Sequence, residues 1–412
     1  MTLDPVHFDG IADLARRIEQ DVDASDHRAF AETVWNEFLD PLWDGNTKVL
    51  EPLDKVARKR IDIADVALCD DRFETCHGID SGTINPTTFK NGLVIDVAQA
   101  AMSAVPSDLA LHRSRTMVAT VHTNDTAGTF DEDWSMFDDG YSRARLFKVP
   151  RVSRYEGAVV HALALYLAES KHALLQADVV ENLLVLDGPI YPKGLLNWEN
   201  RHPELRELLV EDKRPRDVVE NYVRLVERFA NREIPLIGFV KNTSTKAITN
   251  AVRGKAEAPW VNDAAFFAKV LERRADDERL TDCLTFTNWF ISRGGADETF
   301  SVKGDALDID RELPAEQYEV TFFIVYDPRQ DLVYKVEAPY AFTKDEELRE
   351  QLTMQLLCDV ARNRGPPKVI GKADELARIS QQEKESLKQK LEQTFHADRE
   401  RTYDDVRWGL DY

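Results

Sequence analysis

Cysteine, lysine and long apolar runs are all scarce in this chain, and each scarcity narrows what the chain can be. Its 412 residues hold four cysteines, Cys69, Cys76, Cys283 and Cys358. They are scattered without a CxxC pair, so neither a disulfide framework nor a zinc ribbon is indicated. No window approaches the ~18 consecutive apolar residues of a membrane span. The opening MTLDPVHFDG has no basic-then-apolar leader pattern, and a soluble, cytoplasmic protein is expected. Lysine numbers 20 against 33 arginines, and 53 basic against 74 acidic residues leave a net charge of −21. Such a surface repels nucleic acid at low salt. At molar ionic strength the Debye length falls to about 3 Å, and short contacts then decide binding. An acid-rich, lysine-poor composition matches adaptation to a salty cytoplasm, although an ordinary acidic enzyme has the same balance.

Neither a fixed-period repeat nor a low-complexity linker divides the chain. Residues 1–68 show apolar recurrence at three and four residues, in GIADLARRIEQDV and DHRAFAETVWNEFLDPLW, and read as an N-terminal helical region. Residues 69–412 read as one α/β unit. Short β runs lie around GIDSGTINPTTFKNGLVIDVAQAAMSAV and TMVATVHTN, and RYEGAVVHALALYLAESKHALLQ is long enough for a helix packed on them. LLVLDGPIYPKG and PLIGFVKNTST are strands with the helix RDVVENYVRLVERFAN between them, which implies a parallel pair. YEVTFFIVYDPRQDLVYKVEAPYAF is a hairpin. After the breaker RGPP, KADELARISQQEKESLKQKLEQTF reads as one C-terminal helix.

Two aspartates share a local design. Asp80 in GIDSG and Asp187 in VLDGP each follow apolar strand residues and precede small ones, with Ser81-Gly82 leaving space for a phosphate. Open α/β sheets carry functional groups at the carboxyl ends of their strands. Carboxylates crowded at such an edge call for a hard divalent cation, Mg²⁺ or Mn²⁺, and the leading chemistry is phosphodiester hydrolysis. Lys241, after the apolar strand IGFV, is a candidate phosphate contact or a snorkelling strand-end lysine. Lys335 and Glu337 share one face of the hairpin and either line a groove or are solvated.

The order GIDSG, LLVLDGPIYPKG, IGFVKNTST, FFIVYDP with LVYKVEAPYAF, then GPPKVIGKADELARI resembles the NurA family of archaeal DNA-repair nucleases over about residues 75–380. The resemblance implies an RNase H-like core, a mixed sheet flanked by helices, with N- and C-terminal helical extensions. It also implies a homodimeric, Mn²⁺- or Mg²⁺-dependent nuclease. Such an enzyme has 5′ to 3′ exonuclease activity on single- and double-stranded DNA, cuts single strands internally, and partners the hexameric ATPase HerA in end resection. By position, Asp80 and Asp187 are metal ligands. The helix glutamate is Glu169 or Glu156: rise along the helix favours Glu169, whereas the helical wheel puts Glu156 on the apolar stripe. Where the family shows Gly-Tyr-Pro and then Ala-His, this chain has Gly365-Pro366-Pro367 and Ala373-Asp374, so Asp374 is the fourth candidate ligand. Loss of the tyrosine and histidine leaves open a scaffold that binds HerA or DNA ends without cleaving. An acidic Mg²⁺-dependent phosphatase is a third reading.

Overall fold

The computed structural model describes residues 4–21, 24–125, 130, 132–243, 245–253, 259–276, 278–401 and 403. One fifteen-stranded mixed sheet runs through it. Its central order is Arg115–Thr123, Leu93–Val105, Cys76–Thr83, Leu183–Asp187, Leu236–Val240, Leu332–Pro339, Val320–Asp327. The first three strands pair antiparallel. The next two lie parallel to Cys76–Thr83 and to each other, and the final hairpin returns antiparallel. Three antiparallel strands followed by two parallel ones is the order of an RNase H-like core.

Leu183–Asp187 shows why this sheet needs helices on both faces. Leu184 and Leu186 enter one apolar cluster, while Leu183 and Val185 enter another. A parallel strand buried on both sides reads as a continuous apolar run rather than an alternating one. On the first face lie the helices Glu156–Gln176 and Lys213–Asn231; on the second lie Glu346–Asn363 and Lys368–Ala377. Each fully buried leucine or valine in these layers contributes about 1.5–3 kcal/mol. No helix among the described residues is long and apolar enough to cross a membrane.

Two expectations from the sequence are corrected. Among the described residues the N-terminal region is helical through Pro5–Asp21, Ala24–Glu37 and the short Ile63–Ala67. From Leu42 it forms strands Leu42–Asp44, Thr47–Pro52 and Arg58–Asp62, and Thr47–Pro52 pairs with Phe290–Ser292 of the main sheet. Pro41 and Pro52 cannot supply interior helix N–H groups, and sheet pairing with distant strands leaves no signal in local periodicity. The supposed single C-terminal helix is two, Lys368–Ala377 and Gln381–Phe395. A capping box divides them: the Glu383 N–H donates to Ser380 Oγ at 3.3 Å, and the Ser380 N–H donates to Glu383 Oε2 at 2.8 Å.

Candidate metal centre

Strand register brings the two aspartates together. The parallel pairing of Leu183–Asp187 with Cys76–Thr83 ends at Leu186 opposite Ile79. Asp187 and Asp80 are therefore the next residues on their strands, level with each other and on the same face. Asp80 stays anchored on its other side by pairing with Ala101. The adjacent strand Leu236–Val240 delivers Lys241, whose Nζ lies 2.6 Å from Asp187 Oδ2.

Glu169 comes from the helix Glu156–Gln176, which packs on the other face of the sheet. Ser81 Oγ donates to its Oε1 at 2.6 Å, and the Tyr222 hydroxyl donates to its Oε2 at 3.4 Å. Glu156 sits in the first turn of the same helix, thirteen residues or about 20 Å away along the axis, and does not reach the aspartates. The wheel misleads because it assumes one buried face. This helix is covered by the sheet on one side and by Lys213–Asn231 on another, so a glutamate off the apolar stripe still faces protein. A cavity of about 120 Å³ beside Glu169 and Asp187 is closed by Tyr166, Tyr222 and the Gly188-Pro189 turn.

Crowding of like charge sets the electrostatics. The Asp80 carboxyl is pushed far above its ordinary range, by burial first and then by the Asp187 and Glu169 carboxylates; the Ser81 N–H and Lys241 oppose this. Glu169 is raised to about 7 by burial and by Asp187, against the hydrogen bonds from Ser81 and Tyr222. Asp187 is raised by burial, strongly countered by Lys241, with Asp374 adding repulsion. Asp374 itself is exposed on Lys368–Ala377 and acts on the site through its charge.

The oxygen-only donor set matches a hard divalent cation, which would offset the burial and repulsion that hold Asp80 and Glu169 above their ordinary range. Among the described residues no three His, Cys, Asp or Glu side chains already converge on one point at ligand distances. Lys241 holds one Asp187 oxygen and Ser81 holds one of Glu169, so ligation requires side-chain rotation.

The glycines of GIDSG serve a different purpose from the one their size suggests. Gly78, Asp80 and Gly82 share a strand face, and a Cβ at Gly78 would lie 2.6 Å from the Val369 carbonyl oxygen. A Cβ at Gly82 would collide with the Ala377 carbonyl. The space belongs to the helix Lys368–Ala377, which is fastened to the sheet by Ser103 Oγ donating to Val369 O at 2.6 Å and Gln99 Nε2 donating to Ala377 O at 3.0 Å. Asp80 thus lies between two helix-seating glycines, and no gap is kept there for phosphate. Of the two readings of Lys335 and Glu337, solvation is overturned: both are buried and line a cavity of about 490 Å³, with Glu337 Oε1 accepting from Lys193 at 2.6 Å and from Lys335 at 2.7 Å.

Sequence reasoning missed Ser81 and Tyr222 as the groups that orient Glu169. Ser81 had a signal, being next to Asp80 and on the opposite strand face. Tyr222 lies within an amphipathic helix and offered none.

A family model described as the NurA domain matches residues 74–379. Across 96% of this chain and 98% of the other, the fold superimposes on the NurA nuclease from Sulfolobus solfataricus with a TM-score of 0.51 at 11% identity. Fainter likenesses are a NurA crystallised with manganese, at TM-score 0.41, 10% identity and coverage of 80% of this chain and 92% of that one, and a NurA bound to dAMP and manganese, at 0.40, 10%, 76% and 86%. Comparison with curated protein sequences gives no match.

Proposed function

This chain belongs to the NurA family, and from that premise we propose that it is a metal-dependent DNA nuclease. In this reading it digests DNA from 5′ to 3′, cuts single strands internally, and acts as a homodimer with a HerA-type hexameric ATPase in end resection and double-strand break repair. The supporting observation is the strand edge at which Asp80 and Asp187 lie level near Glu169, with Asp80 raised by burial and by the Asp187 and Glu169 carboxylates and Glu169 raised by burial and by Asp187. Buried like charges are costly, and sites that keep them generally use them.

Asp80, Asp187 and Glu169 would hold Mg²⁺ or Mn²⁺, with Asp374 contributing a ligand oxygen or negative potential. Such an ion supplies Lewis-acid polarisation of a phosphoryl oxygen and lowers the pKa of a bound water. Ser81 and Tyr222 hold the Glu169 carboxylate, one on each oxygen, and would release or share those oxygens when the ion binds. Lys241 neutralises Asp187 before ligands arrive, and its ammonium then serves the scissile phosphate as a point charge.

The reading is tested with the full chain in molar KCl and Mn²⁺ on 5′-labelled DNA, beside Asp80→Ala and Asp187→Ala. Cleavage is expected only in the parent, with a loss greater than the ~10–100-fold typical of outer-shell substitutions. Equal traces of nuclease in all three proteins would sink the enzyme claim. The scaffold reading draws on the Lys241–Asp187 ion pair and the absence of a converged ligand trio among the described residues. It predicts DNA or ATPase binding with no Mn²⁺-dependent product.

A further inference from the structure

In a chain with a net charge of −21, one groove has the opposite sign. It has a volume of about 550 Å³ and lies between the helix Ala24–Glu37, the strand Arg58–Asp62 and the segment 270–274. Six cations line it, Arg28, Arg58, Lys59, Arg60, Arg273 and Arg274, against two carboxylates, Glu32 and Glu272.

Both acids are already committed. Glu32 receives Arg58 through two hydrogen bonds of 2.7 and 2.9 Å. Glu272 Oε1 takes Arg274 at 3.2 Å and Arg279 at 3.0 Å, while Arg273 turns to Asp282 at 2.8 Å. Arg28 donates to a neutral acceptor, the Glu272 carbonyl, at 2.7 Å. Arg28, Lys59 and Arg60 therefore make no ion pair with a described carboxylate, and Lys59 and Arg60 are exposed. Solubility alone would put acids here, as it does over the rest of this surface. Unpaired cations held together at a groove are complementary to a polyanion with regularly spaced charges.

Position narrows the occupant. Among the described residues the strand Arg58–Asp62 pairs only with Cys283–Thr287, which pairs with Val320–Asp327. From there the hairpin and Leu236–Val240 lead to Leu183–Asp187, five strand steps away. At about 4.8 Å per step this is roughly 24 Å from Asp187. That span corresponds to about seven nucleotides at ~3.4 Å rise per strand.

We propose that the groove lined by Arg28, Lys59 and Arg60 is an accessory site for the phosphate backbone of a DNA strand whose other part lies at the Asp80–Asp187 edge. The choice of DNA as the polyanion rests on the nuclease reading; the charge reversal does not.

Fluorescence anisotropy in EDTA separates binding from cleavage. The full chain is titrated with labelled single strands of about twenty and about four nucleotides over a series of KCl concentrations. Lys59→Glu/Arg60→Glu is expected to weaken the long strand at least about tenfold and to flatten its log–log salt slope by about 1.4, two phosphates at ~0.7 each. The short strand keeps its affinity. Lys59→Gln/Arg60→Gln gives a smaller loss of the same pattern, with circular dichroism and thermal unfolding of both variants confirming the fold. Unchanged affinity for the long strand, an equal loss for both lengths, or no binding of the long strand by the parent overturns the proposal. DNA that is bound through this groove but never cut with Mn²⁺ would defeat the nuclease reading and leave the binding site standing.

Discussion

Two buried charge clusters lie on one sheet, separated by the strand Leu236–Val240, and they respond to burial in opposite ways. At the Asp80–Asp187 edge three carboxylates share a single nearby ammonium, and burial raises Asp80, Glu169 and Asp187. Beneath the turn after Asp187, Lys193 and Lys335 meet Asp297 and Glu337 in a charge-balanced group. There Glu337 is held down to about 2 despite a desolvation cost, because two lysines bond it, and Lys193 is raised by Asp297 and Glu337. Burial penalises charge in both places, and the count of opposite charges decides the sign. The balanced group holds the framework. The unbalanced one is poised for an ion from solution.

The largest effect expected from this contrast is on the balanced side. Glu337→Gln leaves buried Lys335 without a carboxylate and Lys193 with Asp297 alone, and should cost about 3–5 kcal/mol in urea unfolding. A loss below about 1 kcal/mol would mean that the network is not a structural unit. On the unbalanced side, Glu169→Gln removes a buried repulsion, so stability without metal should hold or rise while Mn²⁺-dependent cleavage collapses. Cleavage surviving in that variant would remove Glu169 from the site.

The pH dependence has a definite sign. Asp80 and Glu169 have folded pKa values above their ordinary ones, so between about pH 4 and 7 the folded state binds more protons than the unfolded state. In EDTA, stability arising from these groups is therefore complete at low pH and falls as pH rises through the folded values. Mg²⁺ should restore more stability at pH 8 than at pH 5. Equal Mg²⁺ stabilisation at the two pH values would contradict the crowding. The smallest effect belongs to Glu156→Ala, which should change stability by less than about 0.5 kcal/mol and leave cleavage intact.

The sheet core was legible because its evidence is local. Continuous apolar runs ending in Asp-Gly, a helix between two such runs and a strong hairpin each carry their own periodicity. The register that levels Asp80 with Asp187 is not written in those runs; it appears only when Leu186 pairs opposite Ile79. What stayed hidden depends on contacts distant in sequence. The strand nature of Thr47–Pro52 depends on Phe290–Ser292, and Gly78 and Gly82 acquire meaning only when Val369 and Ala377 arrive against them. The choice between groove lining and solvation for Lys335 and Glu337 stayed open because Lys193, which completes their network, is far away in the chain. The helical wheel failed for Glu169 for the same reason, since a second helix, Lys213–Asn231, covers its other side.

The seating of Lys368–Ala377 on the glycine-flanked strand also fixes a moment in the life of the protein. A ribosome delivers Asp80 early and Asp187 midway, but the helix that covers Asp80 and carries Asp374 emerges only after nearly all of the sheet has been made. A nascent or prematurely terminated chain therefore carries the acidic residues without the cover that organises them. Emergence of Lys368–Ala377 becomes the step that closes the acidic edge.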